Sequence, residues 1–477
     1  MSVVKLEGLT YQNIKVSPFD LTHLQELKIT RKLNDHAYMS FTGIVPEEEK
    51  DRYILMCDED TRVEISQLEE EGGSVPLFCG LIRHIAVKAV HRVYYLEVEA
   101  VSPTYELDVK KRSRSFQDTS LSYQALLNKV ASSYQGIDIL DEATSGAAIG
   151  RFTMQYLETD WEFLKRLASR LRTALIPAVQ FQRPKFYFGL PDGNGGSELK
   201  SSHYRVLKRL EPYRYTSQNT QAEVTENDYI YYEVESVQVL NLGDSVKFKG
   251  HNLYVYEAVT TMTAGIVKHL YTLSSRAGLR QNILYNEQII GASLQGEVIS
   301  LQGDRVKVRL HIDEEQSKSG AYAFPYASVY TAEGNSGWYC MPEVGDQIRV
   351  YFPSFKEEEG IASSSVRQNS DEGESNKVSN PDHKVFRTPT GKELKMTPEE
   401  LVITGKDGEI YIRLSEAGGI EIASSLPIRL IAKEDIVMNA DQKIVLSAKE
   451  QISLVCKDSS ITMDGATNLL GTELKTN

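Results

Sequence analysis

The sequence predicts a mainly β protein of several domains: two β-barrels with an α/β insert between them, an OB-fold, and a C-terminal triple-stranded β-helix formed by a homotrimer. Three observations lead there. Apolar and polar residues alternate through most of residues 1–110 and again beyond residue 201, the period of half-buried strands. Helical spacing is confined to two stretches between those regions. The C-terminal stretch repeats with a period of eight residues. A chain of 477 residues has room for about three to four such domains.

Residues 1–110 read as the first barrel: Leu27 and Ile29, Val63 and Ile65, and Leu96, Val98 and Ala100 alternate, with turn-like stretches at Glu47–Asp51 and Glu70–Gly73. Residues 111–200 read as the insert. Asp118-Thr119-Ser120 offers N-caps to a helix carrying Tyr123, Leu126, Leu127 and Val130 on one face. A second helix opens on a capping box of Thr159 with Glu162 and lines Trp161, Leu164, Ala168 and Leu171 along one stripe. Arg166, Arg170 and Arg172 suit the negative end of its dipole. Residues 201–285 return to strands, with Val246 and Phe248, a turn at Gly250-His251-Asn252, Leu253 and Val255, then Val267, His269, Tyr271 and Leu273.

Residues 286–355 suit a five-stranded OB-type barrel: Val306, Val308, Leu310 and Ile312 follow a Gln302-Gly303-Asp304 turn, and Ile348, Val350 and Phe352 form the last evident strand. Residues 356–384, rich in Glu, Ser, Asn and Asp and poor in aliphatics, read as a solvated linker. Residues 385–477 then carry the repeat. Ile428, Ile436, Ile444 and Ile452 are eight apart; Leu430, Met438, Leu446 and Leu454 follow two residues on; Ala432, Ala440, Ala448 and Cys456 follow two further on. Looser copies stand at Ile410, Ile412 and Leu414, at Ile420 and Ile422, and at Ile461 and Met463.

A heptad coiled coil would alternate gaps of three and four, so a period of eight excludes it. Apolar residues at i, i+2 and i+4 make a short strand with one buried face, which only stacked neighbours can cover. One chain coiled as a solenoid and three chains wound as a prism both satisfy the spacing. The small third residue marks a crowded position near a corner or axis, and the prism is favoured. These twelve residues are then the trimer core of a stiff rod on the order of 50 Å long, at ~4.7 Å per strand.

Acidic residues outnumber basic ones by 66 to 53, for a net charge of −13, which argues against nucleic acid as a partner. No apolar run approaches the ~20 residues that span a bilayer, and Met1–Gly8 lacks a signal-peptide pattern, so no stable membrane insertion is expected. Cys57, Cys79, Cys340 and Cys456 are scattered and read as buried thiols. No cofactor, metal or catalytic residue is expected. Glu358 and Asp371 lack the fixed separation of a glycosidase pair. Glu158, Asp160 and Glu162 read as acids favouring a helix N-terminus, and Asp58-Glu59-Asp60 as an acidic turn without EF-hand spacing. Gly193-Asn194-Gly195-Gly196 reads as a turn, Glu357-Glu358-Glu359 as a solvated spacer, and Trp338 as a core or barrel-rim residue.

The stretch Gln155-Tyr156-Leu157-Glu158-Thr159-Asp160-Trp161-Glu162-Phe163-Leu164-Lys165-Arg166-Leu167-Ala168 resembles the "QY-E-D-FL-RL" helix of the hub-spike proteins of contractile injection machines. The matching positions are Gln155, Tyr156, Glu158, Asp160, Phe163, Leu164, Arg166 and Leu167. Phe78-Cys79-Gly80, Arg112–Gln117 with Ser120, and Gly337–Asp346 with Val350-Tyr351-Phe352 are similar to other segments of that family, which includes phage baseplate hubs and the VgrG proteins of type VI secretion. The resemblance implies a non-enzymatic homotrimer. Its two barrels per chain would form a pseudo-six-fold ring, adapting a three-fold needle to a six-fold tube, and the needle would pierce a target envelope. It implies a tail-tube or tube-initiator ring and baseplate proteins as partners, and a separate tip protein or effector at the C-terminal end. Synthesis would be in the bacterial cytoplasm, with assembly into a phage-tail-like particle. Some relatives insert a lysozyme domain where this chain has residues 356–384, and some tip the needle with iron held by histidines, none of which follows His383 here. A trimeric tail fibre or adhesin, or a spike-associated peptidoglycan hydrolase, is the alternative reading.

Overall fold

The computed structural model describes residues 9–69, 73–192, 196–220, 223–329, 331–332, 336–365, 380–470 and 472–473. The chain divides into two units, Met1–Gln368 and Asn369–Asn477. Residues 1–8, most of the Glu70–Gly73 turn, Gly193–Gly195 and Asp371 lie outside the described residues.

In the first unit the two expected barrels are joined in one sheet of twelve strands. The strand His23–Lys32 pairs with Tyr38–Val45 on one side and with His251–Thr263 on the other, Thr30 opposite Val259. Alternation reports which face of a strand is buried; it carries no record of which edge pairs with which, so the join is invisible in the pattern. Two cores sit on the sheet, one around Leu27, Phe41, Ile65, Phe78 and Val98, the other around Val234, Phe248, Val255, Tyr271 and Leu273. The stretch expected as a turn at Glu47–Asp51 is a 3-10 turn, Glu47–Glu49, running into the helix Lys50–Met56. The hairpin after Ser245–Phe248 turns on Lys249 and Gly250, both with left-handed φ (51° and 82°), and His251 already lies in the strand that follows.

The insert packs two helices on short strands. Ser122, rather than Asp118, caps the helix Tyr123–Ala131, its Oγ accepting from the Ala125 N–H at 3.1 Å. The helix Asp160–Arg170 has the capping box in place, Thr159 with Glu162, and buries Trp161, Leu164 and Ala168 as the stripe requires. The motif is split between two elements: Gln155, Tyr156 and Glu158 belong to the strand Thr153–Thr159, which pairs with Lys111–Phe116, and the helix begins only at Asp160.

A closed five-stranded barrel follows, in the order Ser293–Gln302, Arg305–Leu310, Ala323–Ala327, Ile361–Ser363 and Gln347–Tyr351. Its fifth strand therefore lies in the stretch expected as linker. The core of this barrel takes in Phe152 and Met154 from the insert; the Phe152 ring lies 5.1 Å from that of Phe324 and stacks at 6.1 Å on that of Phe352. In the second unit, five antiparallel strands from Lys384–Arg387 to Gly419–Ser424 form a meander, and Ile452–Cys456, Ser459–Met463 and Thr467–Leu470 form a three-stranded sheet.

His269 tests the join. It is fully buried, accepting from Thr260 Oγ1 (2.8 Å) and donating to Gln67 Oε1 (3.2 Å), as a neutral ring does. Burial, aided by the Arg31 charge, pushes it down to about 4. An unfolded histidine titrates near 6.5, so the stability this neutral ring supplies is complete above that value and is lost as pH falls toward 4. Between pH 7 and pH 5 the wild type should lose about 2 kcal/mol more than His269→Gln, read from urea unfolding curves.

Candidate assembly interface

The register of the C-terminal meander sorts its side chains by polarity. Phe386, Leu394, Ile403, Ile412 and Ile422 stand directly opposite one another across the five strands. Met396, Leu401, Leu414 and Ile420 form a second row two residues away, hence on the same face. The other face carries Arg413 between Glu400 and Glu421 (3.3 Å each), Tyr411 donating to Glu421 (2.9 Å), and Arg387 on Glu393 and Asp407 (2.7 Å each). The sheet thus has one ionic face and one aliphatic face, and no described residue of this unit covers the aliphatic face: Ile420 is 74% exposed. Among the described residues of this unit, Glu393 alone is buried.

The octads continue that surface. Among residues 425–451 no strand forms, and Ile428, Leu430, Ala432, Ile436, Met438, Ala440, Ile444, Leu446 and Ala448 are all exposed. Ile452, Leu454 and Cys456 lie in the strand that pairs with Ser459–Met463; Ile452 is half-buried, the other two exposed. The short strands expected in the octads are therefore absent from the first three and present in the fourth, where Ser459–Met463 supplies the hydrogen-bonding neighbour a strand needs.

The motif in the first unit is a buried ionic joint. Gln155 donates to the Glu158 carbonyl and to Asp160 Oδ1 (3.0 Å each) and accepts from Arg114 Nε at 2.8 Å. Asp160, fully buried, pairs with Arg114 at 2.6 Å and Arg112 at 3.0 Å and accepts from the Tyr134 hydroxyl at 2.6 Å. Arg166 takes Glu158 in a bidentate grip (2.8 Å twice), donates to the Met154 carbonyl (2.6 Å), and pairs with Glu357. Burial acts to depress the Arg166 guanidinium, but Glu357 and Glu158 outweigh it and hold it above its ordinary value. Burial in turn pushes Glu158 up, against the pull of Arg166. Phe163, Leu164 and Leu167 fill the insert core, while Tyr156 packs at the edge of the barrel core and its carbonyl accepts from Asn286 at 2.8 Å.

Residues 58–171, which contain this joint, match the family model of the phage tail baseplate hub (GPD). The fold is that of an Escherichia coli type VI secretion component described as similar to bacteriophage T4 tail proteins gp27 and gp5: TM-score 0.53, 12% identity, over 74% of this chain and 99% of that one. It is also that of a Francisella PdpA–VgrG complex, with TM-score 0.52 and 9% identity over 86% of this chain and 87% of that one. None of the curated proteins matches the sequence. The baseplate-hub match over residues 58–171 and the shared fold support a relationship to the hub-spike proteins of contractile injection systems. Its fold is VgrG-like, with a baseplate-hub domain at residues 58–171.

Several residues of this chain sit elsewhere than the sequence suggests. Arg166 is spent on Glu158 and Glu357, not on the helix dipole; Asp160 and Glu162 do lie in the first helical turn, with Asp160 also paired to Arg112 and Arg114. Glu357, expected in a solvated spacer, is buried on Arg166 and Arg170, while Glu358 reaches Arg151 at 3.4 Å. Trp338 is exposed, so it is no core residue. Of the cysteines only Cys79 is buried, its thiol pushed up to about 11 by burial; Cys57 is half-buried, and Cys340 and Cys456 are exposed. Asp58 organises an acidic turn, accepting from the Asp60 N–H (3.1 Å) and the Thr61 hydroxyl (2.6 Å). Among the described residues no cluster of three or more His, Cys, Asp or Glu is placed to hold a metal, and no helix is long and apolar enough to cross a membrane. Sequence reasoning missed Tyr134, Asp313 and Glu357, polar residues whose partners lie far off in the chain.

Asp160→Asn leaves Arg112 and Arg114 without their shared counter-charge and should cost about 3–5 kcal/mol in urea unfolding. Glu162→Gln, which keeps a capping-box acceptor, should cost less than about 1 kcal/mol in the same assay.

Proposed function

We propose that this chain is the central hub and spike of a contractile injection machine, working as a homotrimer whose C-terminal unit is a triple-stranded β-helix. One observation carries the proposal: nine aliphatic and aromatic side chains on one face of the meander, and the octad stripe that follows, have no covering layer among the described residues of their unit. Each such side chain gains ~1.5–3 kcal/mol on burial, and three copies turned inward supply the missing layer for one another. A single-chain solenoid would pair successive octads with each other, and residues 425–451 contain no such pairing.

On this reading the twelve octad residues from Ile428 to Cys456 are the trimer core, and the closed five-stranded barrel is the OB-fold above them in the chain. The twelve-stranded sheet, with its two cores, supplies two barrel-like halves per chain. Three chains present six, the number needed to seat a six-fold tail tube or tube-initiator ring, with baseplate proteins around it. The role is mechanical: symmetry matching and transmission of the contractile stroke to a piercing needle, without catalysis. A separate tip protein or effector would occupy the C-terminal end. Assembly starts in the bacterial cytoplasm and ends in a phage-tail-like particle.

Light scattering of the purified full-length chain should give three times the chain mass of 53.6 kDa; a monomer would sink the proposal. Ile444→Asp buries three carboxylates in one layer and should abolish both the trimer and the protease resistance of the C-terminal unit. A peptidoglycan zymogram should stay uncleared, and a cleared band would reassign the chain as a hydrolase.

A further inference from the structure

The strand that closes the five-stranded barrel is very short. Ile361–Ser363 pairs with Gln347–Tyr351 through three residues and with Ala323–Ala327 through two, and only Ala362 is fully buried. The other four strands precede it in the chain, between Ser293 and Tyr351. So small a strand contributes little burial of its own. Immediately upstream, the 3-10 turn Glu357–Glu359 directs its first carboxylate inward. Glu357 is 2% exposed; it accepts from Arg166 and from Arg170 Nη2 (2.9 Å) through one oxygen, and from the Met154 N–H (2.7 Å) through the other. Its neighbours take no part: Glu358 is half-exposed beside Arg151, and Glu359 pairs at the surface with Lys356 (3.2 Å). Gly360 then passes between Phe324 and Phe352, where a Cβ would stand 2.9–3.0 Å from the ring carbons.

We infer that Glu357–Ser363 is a strap, and that the clamp of Arg166, Arg170 and the Met154 N–H on Glu357 keeps the barrel closed. The barrel is then conditional on the insert: its last strand is held by a helix, Asp160–Arg170, nearly two hundred positions earlier in sequence. The strap is also the last described segment of the first unit before the chain continues into the second. Tension entering along the chain from the C-terminal side passes through this strand before it reaches the Glu357 clamp. The inference stands on the geometry of one chain and is independent of the trimer.

Hydrogen exchange on the full-length protein tests it. Glu357→Gln should speed exchange of the amides in Ile361–Ser363 and Gln347–Tyr351 on the order of a hundredfold, with Glu357→Asp intermediate. The pairs between Ser293–Gln302 and Arg305–Leu310, and the twelve-stranded sheet, should stay at wild-type rates, as should every amide in Glu358→Gln. Should Glu357→Gln fail to fold, Arg170→Met, which removes one donor, should give a smaller rise at the same amides. Wild-type rates in the closing strands of either variant, or a uniform rise across the first unit, would overturn the strap.

Discussion

A sheet one layer thick cannot hide a face from water by itself, and this constraint governs the C-terminal unit. Its register gathers Phe386, Leu394, Ile403, Ile412 and Ile422 into one row and turns the charged residues to the reverse side, where they pair with each other. Nothing in residues 380–473 that the structure describes lies over that row as a second layer. The octads carry the same imbalance into a stretch where even the backbone lacks ladder partners. Unladdered backbone and exposed aliphatics occur together there, and on the proposed trimer strands from other copies would answer both.

The first unit faces the opposite situation, with four cores completed by its own chain. What it must settle is how insert, barrel and sheet are fixed to one another. Apolar burial is tolerant of small rotations, whereas bidentate pairs such as Arg166 on Glu158 are not. Desolvation cancels much of what such pairs gain, so they are poor evidence of stability as such, yet breaking one partner strands a buried charge. Their contribution here is to fix geometry. Phe152 and Met154 plug the barrel, Asp313 accepts from the Ser115 N–H and hydroxyl, Gln117 bridges the Val308 carbonyl and the Tyr322 N–H, and Glu357 closes the set.

Legibility in the sequence follows the range of the interaction. The capping box at Thr159 and Glu162, the Trp161 stripe and the alternation of Val267 to Leu273 are local, and each could be read directly. The aliphatic octads could be read because they repeat. Partners far apart in the chain left no trace: nothing in Glu357-Glu358-Glu359 distinguishes the one glutamate that turns inward, since all three have the same neighbours in composition. The closing strand Ile361–Ser363 was hidden for a related reason, being too short to show a period. The pairing of His23–Lys32 with His251–Thr263 depends on which edges are free, a property of the assembled sheet.

Two modes of stabilisation therefore meet in one polypeptide. Burial in the first unit is intramolecular, so its folding does not depend on concentration. Burial in the second, on the proposed trimer, is intermolecular and would be set by mass action unless something holds the three copies near each other. A first unit able to associate through its own surfaces would raise the effective concentration of the three C-terminal stretches and let the octads register from the tethered end outward. The order of events then follows from where each unit finds its cover. On the proposed trimer, barrel and insert would lock within one chain first, and the aliphatic stripes would close last.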